Sequence, residues 1–277
     1  AFMSGVAQTD WSWAPLFADF DNDGYKDLFV ANGYRKDVTN LDFVFFGMEN
    51  NPFGTPEAKE KLWREKFETV PDVKLANYMF RNTGSLIFED KTSDWGLDIE
   101  TFSNGSVYVD LDNDGDLDLV TNNIDQEVIV FENNINKQKE RNHFVRLKSS
   151  DPILLNEKIW AYSASGVQFI ERTPYRGFQS TVEDVVHFGL GSTTKVDSIV
   201  IEWIDGARLK FAGVSADTTI NYSRSNAKRS VRPHKQNAPL MFEMNHLAGY
   251  KHVGNAQSDI KQTRTLMHEL SRYGPCI

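Results

Sequence analysis

Apolar and polar residues alternate with period two along most of this chain. "WAPLFAD" (13–19) and "DLFVANG" (27–33) read as short strands, and the acidic run between them reads as the loop that joins them. Residues 34–76 break the alternation. Within them "TPEAKEKLWREKFETV" (55–70) predicts a helix, with Thr55 as N-cap and Pro56 in the first turn. Leu62, Trp63 and Phe67 can share one face of that helix. The segment reads as an insertion between strands, and Phe45, Phe46 and Trp63 on it are candidates to cover a groove or meet a partner.

Strand signals resume at "NYMFRNTGSLIFEDKT" (77–92), with two short runs around Asn82-Thr83-Gly84. "GSVYVDLD", "DLDLVTNN" and "QEVIVFENN" follow. Residues 78–132 then hold the content of one four-stranded propeller blade or one sandwich meander. "NKQKERNHF" (136–144) is a polar seam. Beyond it come further β runs: "HFVRLKS", "IWAYSASGVQFIERT", "EDVVHFGLG" and "VDSIVIEWIDGARLKF". The last is a hairpin about Asp205-Gly206. Residues 221–239 are basic and polar and read as a linker, while 240–277 are ambiguous.

With 277 residues, 40% hydrophobic and 25% charged, the chain has material for a packed core. A net charge of −9 disfavours nucleic acid as a partner. The one cysteine, Cys276, has no partner for an internal disulfide, and no apolar run is long enough to cross a bilayer. Both ends read as those of a fragment, so the missing leader says nothing about compartment.

Much of the negative charge sits in two matched loops, "DFDNDGYKD" (19–27) and "DLDNDGDLD" (110–118). Aspartates occupy positions 1, 3, 5 and 9 of each: Asp19, Asp21, Asp23 and Asp27, then Asp110, Asp112, Asp114 and Asp118. Gly24 and Gly115 stand at position 6, and the carbonyls of Tyr25 and Asp116 at position 7 offer a further oxygen. Carboxylates at alternate positions of a tight loop converge and repel one another. A hard cation with six to eight oxygen ligands relieves that repulsion, and Ca²⁺ suits the arrangement better than Mg²⁺. Position 12 is Val30 or Thr121 and the flanks are strands, so this is not an EF-hand, and position 9 must close the cage. A solvated Asn-Asp-Gly turn is the plain alternative. The expectation is two Ca²⁺ sites that stiffen their loops. Removing the helical insertion brings the two loops to the spacing of a repeat of about 40–60 residues.

These loops and the runs after them resemble the FG-GAP/VCBS repeats of integrin-type β-propellers. Residues 142–223 resemble the ASPIC/UnbV domain through "NHFVRLK", "GVQFIERTPYRGFQS", "VHFGLG" and "VDSIVIEWIDG". One departure is "NEKIWA" (156–161), where the family usually carries two glycines, at the positions of Lys158 and Trp160. The resemblance implies an all-β fold: partial propeller blades over 1–136 with the insertion at about 34–76, and a β-rich ASPIC/UnbV-type domain over 142–223. A linker and lead-in to a further propeller would occupy 224–277. It also implies a secreted or cell-surface protein, facing outward on a bacterial outer membrane. Such a protein would engage a glycan or an envelope partner such as a SusC/SusD-like uptake complex.

Nothing in the chain reads as catalytic. The histidines, His143, His187, His234, His246, His252 and His268, make no HExxH or Cys-paired spacing, and no serine sits in a GxSxG elbow. His187, among apolar neighbours, reads as a hydrogen-bonded core histidine. The basic run from Arg224 to Lys235 reads as a solvated linker rather than an RNA contact. A polysaccharide lyase or hydrolase on a propeller scaffold stays open as the alternative.

Overall fold

Strand β1 (Ser12–Ala18) turns Ala14, Leu16 and Ala18 inward and exposes Pro15 and Phe17, as its alternation predicts. Strand β2 (Asp27–Asn32) is buried at every position, because it lies between two apolar layers. Phe29 and Ala31 join the cluster under β1, while Leu28 and Val30 pack with Phe80 on the other side. The computed structural model describes residues 1–36, 55–137, 141–151 and 157–229. All of these fall within one unit, Ala1–Val231.

The inserted helix α1 (Pro56–Thr69) forms as predicted, with Thr55 Oγ1 accepting from Ala58 N at 3.3 Å. Trp63 and Phe67 on it remain 46% and 38% exposed. Phe45 and Phe46 lie outside the described residues. The insertion is closed at its base. Lys36 bridges to Asp72 in the backbone and pairs with its carboxylate at 2.9 Å, and its Nζ donates to Val70 O at 2.7 Å. Just beyond, Asn32 N donates to Asn77 Oδ1 at 2.9 Å and Asn32 Nδ2 to Ala76 O at 3.0 Å. The chain therefore returns beside β2 through β3 (Leu75–Ala76).

That return changes the division of the strands. β4 (Tyr78–Asn82) pairs with β2, Leu28 opposite Phe80, and β5 (Phe88–Asp90) pairs with β4. The first sheet is thus four-stranded, in the order β1-β2-β4-β5. The grouping of residues 78–132 as one four-stranded unit does not hold: its first two strands complete the sheet begun before the insertion. β6 (Glu100–Thr101) pairs with β3, and a separate sheet holds β7 (Ser103–Val109), β8 (Asp118–Asn123) and β9 (Ile129–Phe131). The described strands do not close into a propeller ring.

After the polar seam the chain builds two more sheets. β10 (His143–Ser149) opens the segment. It is followed by β11 (Glu157–Ser163), β12 (Gly166–Arg172), β13 (Val185–Gly191), β14 (Lys195–Glu202), β15 (Ala207–Ser215), β16 (Thr218–Tyr222) and β17 (Lys228–Arg229). The orders are β13-β10-β16 and β12-β11-β14-β15-β17. Both sheets contribute to one core, with Val145, Leu147, Phe188 and Leu190 from the first and Ile159, Val196, Ile199 and Ile201 from the second. Lys158 and Trp160, where the family usually has glycine, are paired on both sides in regular β11. The predicted linker starts later than 224, because residues 224–229 form a helical turn and strand β17 against β15. Residues 232–277 lie outside the described residues, as do His234, His246, His252 and His268.

One charged group sits inside this core. Glu157 Oε1 accepts from Arg172 Nη1 at 3.0 Å and Trp203 Nε1 at 3.1 Å, and its Oε2 accepts from the Tyr222 hydroxyl at 2.5 Å. Arg172 also pairs with Asp184. A buried carboxylate that accepts three hydrogen bonds from three separate segments fixes where β11, β12, β16 and the end of β14 meet. Glu157→Ala leaves Arg172 Nη1, an indole N–H and a phenol without their acceptor. We expect it to cost about 3–5 kcal/mol in denaturant unfolding, with Glu157→Gln costing less.

Candidate metal centre

Each acidic loop joins the first two strands of its sheet, β1 to β2 and β7 to β8. The two loops repeat one another bond for bond. At position 1, Asp19 accepts from Asp23 N at 3.0 Å and Gly24 N at 2.8 Å, and Asp110 accepts from Asp114 N at 3.1 Å and Gly115 N at 3.0 Å. At position 3, Asp21 and Asp112 accept from Asp23 N and Asp114 N, both at 3.2 Å. At position 5, Asp23 accepts from Tyr25 N and Asp114 from Asp116 N. Gly24 and Gly115 have φ of 97° and 91°, and glycine alone makes that sharp turn without strain. Asn22 and Asn113, at position 4, are also left-handed, at 57° and 61°. The sequence signal for that was the Asn-Asp-Gly run itself.

Carboxylate oxygens come within 4.8 Å of one another in two groups: Asp19, Asp21 and Asp23 in the first loop, and Asp110, Asp112 and Asp118 in the second. The loops thus differ at the closing position. Asp27 Oδ2 accepts from Phe20 N at 3.0 Å and Oδ1 from Asn82 N at 2.9 Å, and it stands outside the first group. Asp118 makes the matching bonds to Leu111 N and Asn133 N, yet belongs to the second. Asp114 accepts from Asp116 N within the turn and stands outside the second group. Tyr25 donates its N–H to Asp23, and its ring lies against the Gly84 turn. The Asp116 side chain is buried, with Oδ2 accepting from Asn136 N at 3.2 Å and Oδ1 unpartnered among the described residues.

This much buried carboxylate is electrostatically costly. Burial raises the Asp19 carboxyl well above its ordinary value, and the charges of Asp27, Asp21 and Asp23 raise it further. Burial likewise pushes Asp27 and Asp116 to about 7. Two arginines, which the sequence reading missed, offset part of the charge. Arg81 donates from Nε to Asp21 at 2.6 Å and from Nη2 to Asp23 at 2.8 Å. Arg146 donates to Asp110 at 2.5 Å and to Glu183 at 2.6 Å, and it is itself buried. One guanidinium per loop leaves most of the aspartates uncompensated. The donor set in each group is all hard oxygen, so the residues suit a hard divalent cation.

Both loops also press on the β13-β10 sheet. Asn22 Nδ2 donates to Gly115 O at 3.1 Å, so its Oδ1 is the acceptor for His187 Nε2 at 2.6 Å. Gly191 N donates to Asn22 O at 2.8 Å, and Asn142 Nδ2 to Asp21 O at 2.7 Å. A Cβ on Gly189 would stand 2.1 Å from Asp19 Oδ2, and one on Gly115 would stand 1.9 Å from the Phe144 ring. Only glycine permits either approach. His187 is therefore a hydrogen-bonded buried histidine, as predicted, but its partner belongs to an acidic loop.

This sheet is where a comparison with known proteins speaks. Residues 151–229 match the family model described as ASPIC and UnbV. The match covers β11 to β17 and does not reach the acidic loops. It starts after β10, yet β10 pairs with β13 and β16 and completes the sheet that those matched strands form. No curated protein matches the chain.

Burial lowers the His187 imidazole to about 3, with Arg146 adding to the effect. A base depressed in the folded state contributes stability above its unfolded value, near 6.5, and loses it as pH falls toward 3. We expect the wild type to lose about 2 kcal/mol more than His187→Gln between pH 7.5 and pH 5, read from denaturant midpoints of the two proteins.

Proposed function

We propose that this chain is a calcium-stiffened binding protein of the cell surface. Its two N-terminal sheets act as FG-GAP/VCBS-type propeller blades in front of the ASPIC/UnbV sheets. The partner is a glycan, or an envelope protein such as a SusC/SusD-like uptake complex, and the protein faces outward on a bacterial outer membrane. The observation that carries this reading is the bond-for-bond repetition of the two acidic loops, each gathering three carboxylates. Asp19, Asp21 and Asp23 would hold one ion, and Asp110, Asp112 and Asp118 the other. Asp27, Tyr25, Asp114 and Asp116 shape or supplement those sites. Calcium would supply the positive charge that Arg81 and Arg146 only partly provide.

In this reading the acidic residues set the shape of the loops, so they are not free for acid–base chemistry. Binding is therefore preferred to polysaccharide cleavage. No described helix is long and apolar enough to cross a membrane.

Calcium at about a hundred times its dissociation constant should stabilise the fold by about 2.7 kcal/mol per site. That corresponds to a rise in Tm of about 5–10 °C for a unit of this size. The check is thermal unfolding in millimolar Ca²⁺ and in chelator. Asp112, exposed on the second loop, gives the sharper version. Asp112→Ala should lower Tm in calcium and leave it nearly unchanged in chelator. Equal melting of the wild type in both buffers would refute the calcium sites.

A further inference from the structure

A cleft of about 580 Å³ opens between the β7-β8 sheet and the segment that leads from β12 into β13. None of its eleven lining residues is charged, in a chain where one residue in four is. Its polar groups are amides and hydroxyls. The side chains of Asn122 and Gln179 are exposed, and among the described residues neither amide is engaged by another protein group, so both are presented to solvent on the cleft wall.

The wall is also shaped. The β7-β8 register breaks between Ser103 and Ser106, and the two residues in the break, Asn104 and Gly105, line the cleft. Gly105 keeps it open: a Cβ there would lie 3.2 Å from Ser180 Oγ. Opposite, Gln179 is held at φ 48°, a conformation that costs energy outside glycine. Beside it Phe178 lines the cleft and is held in place by an aromatic neighbour. Trp13 packs on it with centroids 4.4 Å apart, and the Trp13 indole is anchored to Gly33 O at 3.1 Å.

We propose that this cleft binds a neutral saccharide. The absence of charge selects against ionised ligands, which would lose hydration without gaining a counter-charge. Carboxamides both donate and accept, and so do sugar hydroxyls, so each free amide can engage a pair of them. Phe178 and the neighbouring valines give the apolar C–H face of a sugar ring its contact. The volume lies within the ordinary range for ligand sites, about 300–1,000 Å³. The proposal rests on the glycan-binding reading above and narrows it to one site and to uncharged glycans.

The test uses the full chain in calcium. Titration calorimetry and saturation-transfer NMR would be run against hexasaccharides of glucose, mannose and xylose, and against oligogalacturonate of the same length. Asn122→Ala and Phe178→Leu would be run beside the wild type, with thermal melts to confirm the fold. Asn122 is exposed, so its truncation leaves the core intact. The expected result is binding of at least one neutral hexasaccharide, weakened at least tenfold by each variant. Binding that both variants keep would overturn this site while leaving the glycan reading in place. Binding of oligogalacturonate alone would overturn the neutral class. Binding of no saccharide by the wild type would overturn both the site and the glycan reading.

Discussion

Asn22 is fully buried and holds three parts of the chain together. Its amide reaches the second acidic loop at Gly115 O, its Oδ1 takes His187 Nε2, and its own carbonyl takes Gly191 N. A left-handed asparagine at position 4 is needed to aim all three, because an extended residue there would point its side chain away from the β13-β10-β16 sheet. The turn that gathers the aspartates is therefore the same turn that docks the two halves of the chain. Loop shape and the packing of the two halves are one constraint.

That coupling explains where the charges are allowed to be buried. Arg146 reaches Asp110 from β10, and Arg81 reaches Asp21 and Asp23 from β4. Each arginine leaves a regular strand, so its position is set by a ladder of backbone bonds rather than by the loop. The two sites differ as a result. The fork of Arg81 covers two carboxylates of the first group, while Arg146 touches one of the second and shares itself with Glu183. The second loop therefore retains the more open set of oxygens.

The sequence carried the strand pattern, the helix and its Thr55 cap, the hairpin at Asp205-Gly206 and the repeated loops. Each of these is a local signal, written in residues close together along the chain. It misplaced β4 and β5, because their partner β2 lies across an insertion whose closure depends on Lys36 and Asp72, residues with no periodic signature. It assigned Asp27 and Asp118 the same duty, and the structure gives them the same backbone bonds but different neighbours. Arg81, Arg146 and Asn142 were invisible as loop partners, since a lone basic or amide residue on a strand looks like any solvent-facing position. The uncharged cleft was also beyond reach, because its two walls come from residues 104–128 and 178–181, which no motif connects.

The pairing of β10 has a consequence for how the chain must fold. His143–Ser149 is flanked by β13 and β16, both far along the chain, and the β16 pairing is parallel. Neither neighbour can be reached through a tight turn, so β10 gains no ladder until the chain has reached β13 at Val185–Gly191, and its second ladder comes only with β16. During synthesis β10 would wait, unpaired, while the β11-β12 hairpin forms locally. Arg146 waits with it. The second loop would then remain self-repelling until β13 arrives, because only a laddered β10 holds the counter-charge in place.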